Sequence, residues 1–217
     1  MHYTISFKLD LNQDSIYSFF TKERIFLSPL QIGLPENHQF SEKRFADFST
    51  GRFCAMKVLE QYGISDAIVP IGKDREPIWP AGFVGSISHC DKLSGAIIAM
   101  KSDYISLGLD IEEIGRVTPD LWDLVLTENE KNYLYGLSEE DKRIQSTAIF
   151  SIKEAFYKFQ YPLTKTFLDF LDVEVALPSF SHVSVLSELI SQDSPIRINK
   201  STYTVEKSCI VSIVTQE

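Results

Sequence analysis

Leu107-Gly108-Leu109-Asp110-Ile111-Glu112 is the stretch on which the reading of this chain turns. Taken with Ile105 and Ser106, it alternates strictly. Ile105, Leu107, Leu109 and Ile111 stand against Ser106, Gly108, Asp110 and Glu112. Strict alternation is the mark of a half-buried strand, on which successive side chains point to opposite faces. The aliphatic residues are expected to enter the core together, leaving Asp110 and Glu112 side by side on the other face. Two carboxylates about 7 Å apart along a strand repel each other unless a cation lies between them. A hard divalent cation fits: Mg²⁺ is commonly held by one or two carboxylates, several waters and substrate phosphates. An Asp-x-Glu pair taken alone is more often a solvated strand face, so the rest of the chain has to decide.

The chain has 217 residues, 44% hydrophobic and 24% charged, the composition of a globular domain with a sizeable core. A net charge of −9 argues against a general nucleic-acid or membrane-surface binder. No apolar run has the length of a membrane span. Cys54, Cys90 and Cys209 are far apart and odd in number, without zinc spacing or a disulfide framework. The first residues lack the basic-then-apolar layout of a secretory signal. A cytoplasmic protein with reduced thiols is expected.

Working outward on the N-terminal side, residues 3–9 read as a strand, and residues 13–21 as a short helix followed by loop. Ser41 is a fitting N-cap for a long helix to Tyr62, closed by Gly63. Phe45, Phe48, Arg52, Ala55, Met56 and Leu59 make its apolar stripe, which Arg52 interrupts. Arg44 and Arg52 near one edge of that stripe could hold a phosphate bidentately, or could merely rim the helix. Gly72–Pro77 is a polar turn carrying Lys73 and Arg75. Phe83–Ile87 and Ala96–Met100 read as a hairpin pair, with Ser88 and His89 at the turn, where loops usually place ligand contacts.

On the C-terminal side, Thr127-x-x-Glu130 has the form of a capping box. Glu130 thus has a structural reading as a cap and a functional one as a third acid. From Ser146 to Phe159 a helical pattern presents a buried apolar face, with Pro162 ending it. Glu154 and Lys158 are i and i+4, neighbours on one surface, with Lys153 at the edge. Asp172–Leu177, His182–Leu186, Ile196–Ile198 and Ser208–Val214 read as strands, the last central in a sheet with Cys209 buried inside it. The run Ile5–Asp10 echoes Ile105–Asp110, which would suit two similar α+β halves.

Three stretches in this order, Phe83-Val84-Gly85-Ser86-Ile87-Ser88-His89, Leu107 to Glu112, and Phe150-Ser151-Ile152-Lys153-Glu154-Ala155-Phe156-Tyr157-Lys158, resemble the motifs of the 4′-phosphopantetheinyl transferases. Lys43-Arg44 and Gly51-Arg52 further resemble the subgroup typified by enterobactin synthetase component D. The resemblance covers about residues 41–160. It implies an α+β fold, a pseudo-dimer of two similar halves (1–103 and 104–217) with the active site in the cleft between them. It implies an enzyme that moves the phosphopantetheine arm of coenzyme A to a serine of an apo acyl, aryl or peptidyl carrier protein.

Residue by residue, the resemblance makes Asp110, Glu112, Glu130 and Glu154 candidate ligands of Mg²⁺, or of Mn²⁺. Glu154 also matches the general base, Lys158 the lysine that stabilises the leaving group, and Lys153 a helper. Ser88 and His89 match the pair that meets the 3′-phosphate and adenine, with Arg44, Arg52, Lys73 and Arg75 as further phosphate contacts. The N-terminal half would then take the adenine and 3′-phosphate end, and the C-terminal half would carry the metal and the catalytic residues. Phe150 stands where many members have tryptophan, and Glu113 adds an acid directed away from the metal. Segment 113–128 is the expected docking surface, with Trp122, Leu124, Val125 and Leu126 as exposed apolar contacts. A monomer is expected. A phosphoanhydride hydrolase and a non-catalytic coenzyme A-binding module remain alternatives; siderophore or nonribosomal peptide carriers are favoured over fatty-acid or polyketide carriers.

Overall fold

The computed structural model describes residues 15–37, 39–189, 194–196 and 199–217. The chain divides between Tyr104 and Ile105 into two units.

In the first unit, β1 (Tyr17–Thr21), β2 (Phe83–His89) and β3 (Ser94–Met100) form an antiparallel sheet in the order β1-β3-β2. Helix α1 (Glu42–Gln61) packs on it. Ser41 caps α1, its hydroxyl accepting from the Arg44 amide, and Gly63 follows the last turn at φ +78. The buried face includes Ala46, Ser49, Thr50, Arg52, Ala55, Val58 and Leu59. Ser49 and Thr50 are buried because their hydroxyls accept from the Leu27 and Ile25 amides, tying the preceding loop to the helix. Phe45, Phe48 and Met56, expected at the centre of the apolar stripe, are half-buried at its margin.

Residues 17–21 are a strand, not the helix read over 13–21. The alternating and helical patterns of Ile16-Tyr17-Ser18-Phe19-Phe20 overlap, and pairing with β3 decides between them. Phe20 lies opposite Gly95, and a Cβ on Gly95 would sit 2.2 Å from the Phe20 ring. The strand read over residues 3–9, and with it the echo at Ile5–Asp10, lies outside the described residues.

The second unit repeats the plan. Its strands β4 (Ser106–Glu113), β7 (Lys200–Glu206) and β8 (Cys209–Gln216) pair antiparallel in the order β4-β8-β7. Helix α4 (Glu139–Thr164) packs on β4 and β8. Each unit therefore runs strand, long helix, strand, strand, and puts its last strand in the middle of the sheet. Between β4 and α4 lie α2 (Trp122–Val125) and α3 (Glu128–Tyr135); β5 (Val173–Val175) and β6 (Val183–Val185) form a separate hairpin.

Helix α4 begins earlier than its apolar pattern, because Ser138 caps it and Glu139, Glu140 and Asp141 fill the first turn, where negative charge is favoured. It also runs through Pro162 to Thr164. A proline this close to the end removes a single intrahelical hydrogen bond, and Lys165 in the left-handed region closes the helix instead. β8 is central and fully buried, Cys209 included. β7, rich in Thr, Ser and Tyr, has little apolar alternation and escaped the sequence reading. Ile196 is not in a strand, and residues 197–198 lie outside the described residues.

β4 is buried on both faces rather than one. Leu107, Leu109 and Ile111 are 0–1% exposed, and Asp110 on the opposite face is only 4% exposed. Gly108 shares that second face, and α4 lies directly against it.

Candidate active site

The first unit holds a cavity of about 450 Å³ whose charged lining includes Lys43, Arg44, Asp47, Arg52, Arg75 and His89. Helix α1 supplies Lys43, Arg44, Asp47 and Arg52, the end of β2 supplies His89, and the turn before β2 supplies Arg75. Arg52 is 5% exposed; its Nη2 donates only a long 3.5 Å bond to the Pro70 carbonyl, and its Nε has no hydrogen-bond partner. Burial pulls this guanidinium down to about 10. A buried cation without a counter-anion is costly, and a phosphate dianion is chemically suited to neutralise it.

Of the expected phosphate contacts, Arg44, Arg52, Arg75 and His89 line this cavity. Ser88 and Lys73 do not. Ser88 follows Ile87 on a strand and so points to the face opposite His89's, where it is buried. Lys73 is exposed on the turn closed by the 2.7 Å bond from the Gly72 amide to the Glu76 carbonyl. Lys43 was missed as a site residue; it lines the cavity while paired at 2.6 Å with Asp91 on the β2–β3 turn.

The second unit brings the carboxylate strand to the lysine helix. Lys158 Nζ on α4 lies 2.7 Å from Asp110 Oδ1 on β4 and donates to the Leu109 carbonyl at 3.1 Å. Residues 48 positions apart thus meet, because Gly108 lets helix and strand touch. Glu112 is pushed up to about 7, first by burial and then by the charge of Asp110; Arg116, 3.8 Å away, opposes the shift. Glu154 is raised for the same two reasons, with Lys158 opposing. The charge of Asp110 therefore disfavours ionisation of both Glu112 and Glu154, which is what a bound cation relieves. The donors are all carboxylate oxygens, a set that suits Mg²⁺. Among the described residues, no three metal-ligating side chains converge closely enough to enclose an ion by themselves. Asp110 and Glu112, with Glu154 beside them, could hold an ion whose coordination is completed by waters and substrate oxygens.

Two expected site residues are paired with each other in the core. Glu130 and Lys153 form an ion pair at 2.7 Å with both side chains 0% exposed. Glu130 Oε2 also accepts from the Thr127 amide, completing the capping box of α3, and Oε1 accepts from the Val175 amide. Lys153 gives its remaining hydrogens to the Val125 and Phe170 carbonyls. In this arrangement Glu130 serves as helix cap and buried counter-ion, and Lys153 is its partner in the core, at the wall of the cavity beside Glu154. Burial lowers the Lys153 ammonium, against the stabilising charge of Glu130.

A second cavity, about 290 Å³, opens beside Glu154 and is walled by Tyr157, Phe167, Leu168 and Phe170. The apolar surface expected over 113–128 is mostly core: Trp122, Val125 and Leu126 are 7%, 8% and 1% exposed, and only Leu124, at 64%, faces outward. Trp122, Val125 and Leu126 pack with Ile149, Ile152 and Phe156 of α4.

Residues 35–99 match the 4′-phosphopantetheinyl transferase N-terminal domain, and residues 106–213 match the 4′-phosphopantetheinyl transferase superfamily. The chain is 35% identical to 4′-phosphopantetheinyl transferase Svp of Streptomyces mobaraensis over 136 residues, 62% of this chain and 55% of that protein. To 4′-phosphopantetheinyl transferase PptT of Mycobacterium tuberculosis it is 30% identical over 175 residues, 78% of this chain and 74% of PptT. To enterobactin synthase component D of Escherichia coli it is 34% identical over 137 residues, 61% and 62% of the two chains. The chain thus spans little more than half the length of Svp.

Proposed function

The chain belongs to the 4′-phosphopantetheinyl transferase superfamily, and from that premise we propose that it transfers the 4′-phosphopantetheine group of coenzyme A to a serine hydroxyl of an apo carrier protein. The observation that carries the proposal is the meeting of Asp110 and Lys158 at 2.7 Å, with the raised carboxyls of Glu112 and Glu154 in the same field. In the reaction the serine oxygen attacks the phosphorus that bears the pantetheine arm. The bond from that phosphorus to the bridging oxygen breaks, and adenosine 3′,5′-bisphosphate leaves. Mg²⁺, held by Asp110 and Glu112, would neutralise charge on the pyrophosphate.

Glu154 takes the serine proton. Its raised basicity suits a general base working near neutral pH. Lys158 sets a positive charge where the leaving oxygen becomes negative. Arg44, Arg52, Arg75 and His89 bind the 3′-phosphate in the cationic cavity of the first unit. That assignment gives the N-terminal unit the nucleotide end of coenzyme A and the C-terminal unit the metal and the chemistry. The apolar cavity beside Glu154 suits the amide-and-alkane arm better than any phosphate.

The relatives named as enterobactin synthase component D support a carrier of siderophore or nonribosomal peptide assembly as the acceptor. A cytoplasmic location follows from the proposed substrate; no described helix is long and apolar enough to cross a membrane, and the three cysteines are free. The test is intact mass of a panel of apo carriers after incubation with the protein, coenzyme A and Mg²⁺. One phosphopantetheine added to a siderophore carrier, and lost with Asp110→Ala or EDTA, supports the reading. Coenzyme A consumed with no carrier modified would replace it with the hydrolase.

A further inference from the structure

The cationic cavity contains a device that the phosphate contacts alone do not explain. Arg44 Cζ lies 4.4 Å from the centroid of the Phe40 ring, and Arg52 Cζ lies 4.3 Å from that of Phe48. The two rings meet edge to face, their centroids 5.6 Å apart at 69°. The order is arginine, ring, ring, arginine, and all four residues line the same cavity. Each phenylalanine precedes its arginine by four residues, and the ring-to-guanidinium contact recurs eight positions along. Among the described residues, neither guanidinium has a carboxylate partner.

Arginines that must be held still are usually held by carboxylates. A carboxylate fixes the side chain but cancels its charge, which would weaken its hold on an incoming anion. A ring face attracts the guanidinium through its quadrupole while leaving the net charge intact and the in-plane N–H groups directed outward. Resting on the reading that this cavity takes the 3′-phosphate of coenzyme A, we propose that Phe40 and Phe48 are positioning residues that hold Arg44 and Arg52 by their ring faces, so that both cations stay un-neutralised for that phosphate. Phe48 is the stronger of the two, since its arginine is buried and a desolvated cation–π contact exceeds an exposed one.

The test compares Phe40→Leu, Phe48→Leu and Phe48→Tyr with the wild type. Calorimetry measures binding of coenzyme A and of 3′-dephospho-coenzyme A, which differ only in the phosphate concerned. Phe48→Leu keeps apolar volume but loses the ring face. It should weaken coenzyme A by about 3- to 10-fold, raise KM for coenzyme A by the same factor, and leave kcat and dephospho-coenzyme A binding within about twofold. Phe40→Leu should do the same more weakly, and Phe48→Tyr, which keeps the face, should match the wild type. Unchanged discrimination between the two ligands in both leucine variants overturns the proposal. So does an equal loss for both ligands, which would mean that the rings only support the fold. If Phe48→Leu melts early, Phe40→Leu decides, because Phe40 precedes the helix and its cap. A wild type that binds both ligands equally would instead refute the 3′-phosphate reading itself.

Discussion

Gly108→Ala is the sharpest probe of how this chain builds its active site. A Cβ at position 108 would stand 1.8 Å from the Ala155 carbonyl oxygen, 2.8 Å from its carbon and 3.0 Å from Phe159 Cβ. The first two are backbone atoms of α4, so no rotamer change can relieve the contact. Helix and strand must separate by more than an ångström, in the most closely packed part of the unit. Overpacking of cores costs about 1–3 kcal/mol, and a clash with main chain belongs at or above the top of that range. At about 3 kcal/mol the melting temperature should fall by roughly 6–12 °C in a protein of this size. The separation would also stretch the 2.7 Å pair between Asp110 and Lys158 and the 3.1 Å bond from Lys158 to the Leu109 carbonyl, so the folded fraction should lose activity as well. The assay is urea denaturation followed by turnover per folded molecule. Gly136→Ala is the control, since its Cβ would meet only the Tyr133 carbonyl at an ordinary 3.7 Å and its φ is −79. A loss below about 0.5 kcal/mol at position 108 would refute the reasoning, because so large a clash cannot be absorbed at surface cost.

Other outcomes follow from the same geometry. Glu154→Gln should lower kcat by roughly 10²–10⁴-fold with little change in stability, measured by carrier mass shift and thermal melt. Lys158→Met should lower kcat by about 10²-fold or more while coenzyme A still binds, checked by calorimetry alongside turnover. Lys153→Met leaves Glu130 charged and unmatched in the core and should cost about 3–5 kcal/mol by urea denaturation. For pH, the Glu112 carboxyl rises from 4.5 unfolded to about 7 folded. Its contribution to the stability of the metal-free protein is therefore full below the lower value and lost as pH rises through the upper one. Metal-free unfolding at roughly pH 5 and pH 8 should show this loss in the wild type, reduced in Glu112→Gln; an equal loss in both would exclude Glu112 as its source.

What the sequence disclosed depended on whether the deciding force was local. β4, the β2–β3 hairpin and the central β8 were legible because alternation and turn residues act within a few positions. So were the caps of α1 and α3, since Ser41 and Thr127 satisfy amides of their own helices. The strand at Tyr17–Thr21 was misread because Ile16, Tyr17, Phe19 and Phe20 fit both periods, and the choice is made by partners nearly 80 residues away. Site residues divided in the same way. Asp110, Glu112, Glu154 and Lys158 are candidates because motif spacing carries them. The surroundings of Glu130 and Lys153 could not be read, because their partners Val125, Phe170 and Val175 come together only in the fold. The Phe40–Arg44 and Phe48–Arg52 spacing was readable as an i,i+4 pattern, but only the cavity gives it a purpose.

The burial of Lys153 accounts for a motif that places Lys-Glu together and a second lysine four residues on. Adjacent residues on a helix point about 100° apart. If Lys153 is directed into the core, Glu154 is necessarily turned toward the flank, and Lys158, one turn on, stands beside it. Lys153 is fixed from three sides, by Glu130 of α3, by the end of α2 at Val125, and by the segment at Phe170. These contacts set the rotation of α4 about its own axis, which no hydrophobic face defines as sharply, since apolar contacts tolerate small rolls and buried ion pairs do not. The rotation then aims Glu154 at its cavity and Lys158 at Asp110. On the proposed function, Lys153 would then act by orienting the helix that carries Glu154 and Lys158. Its loss should move the positions of the base and the cation together and so lower turnover.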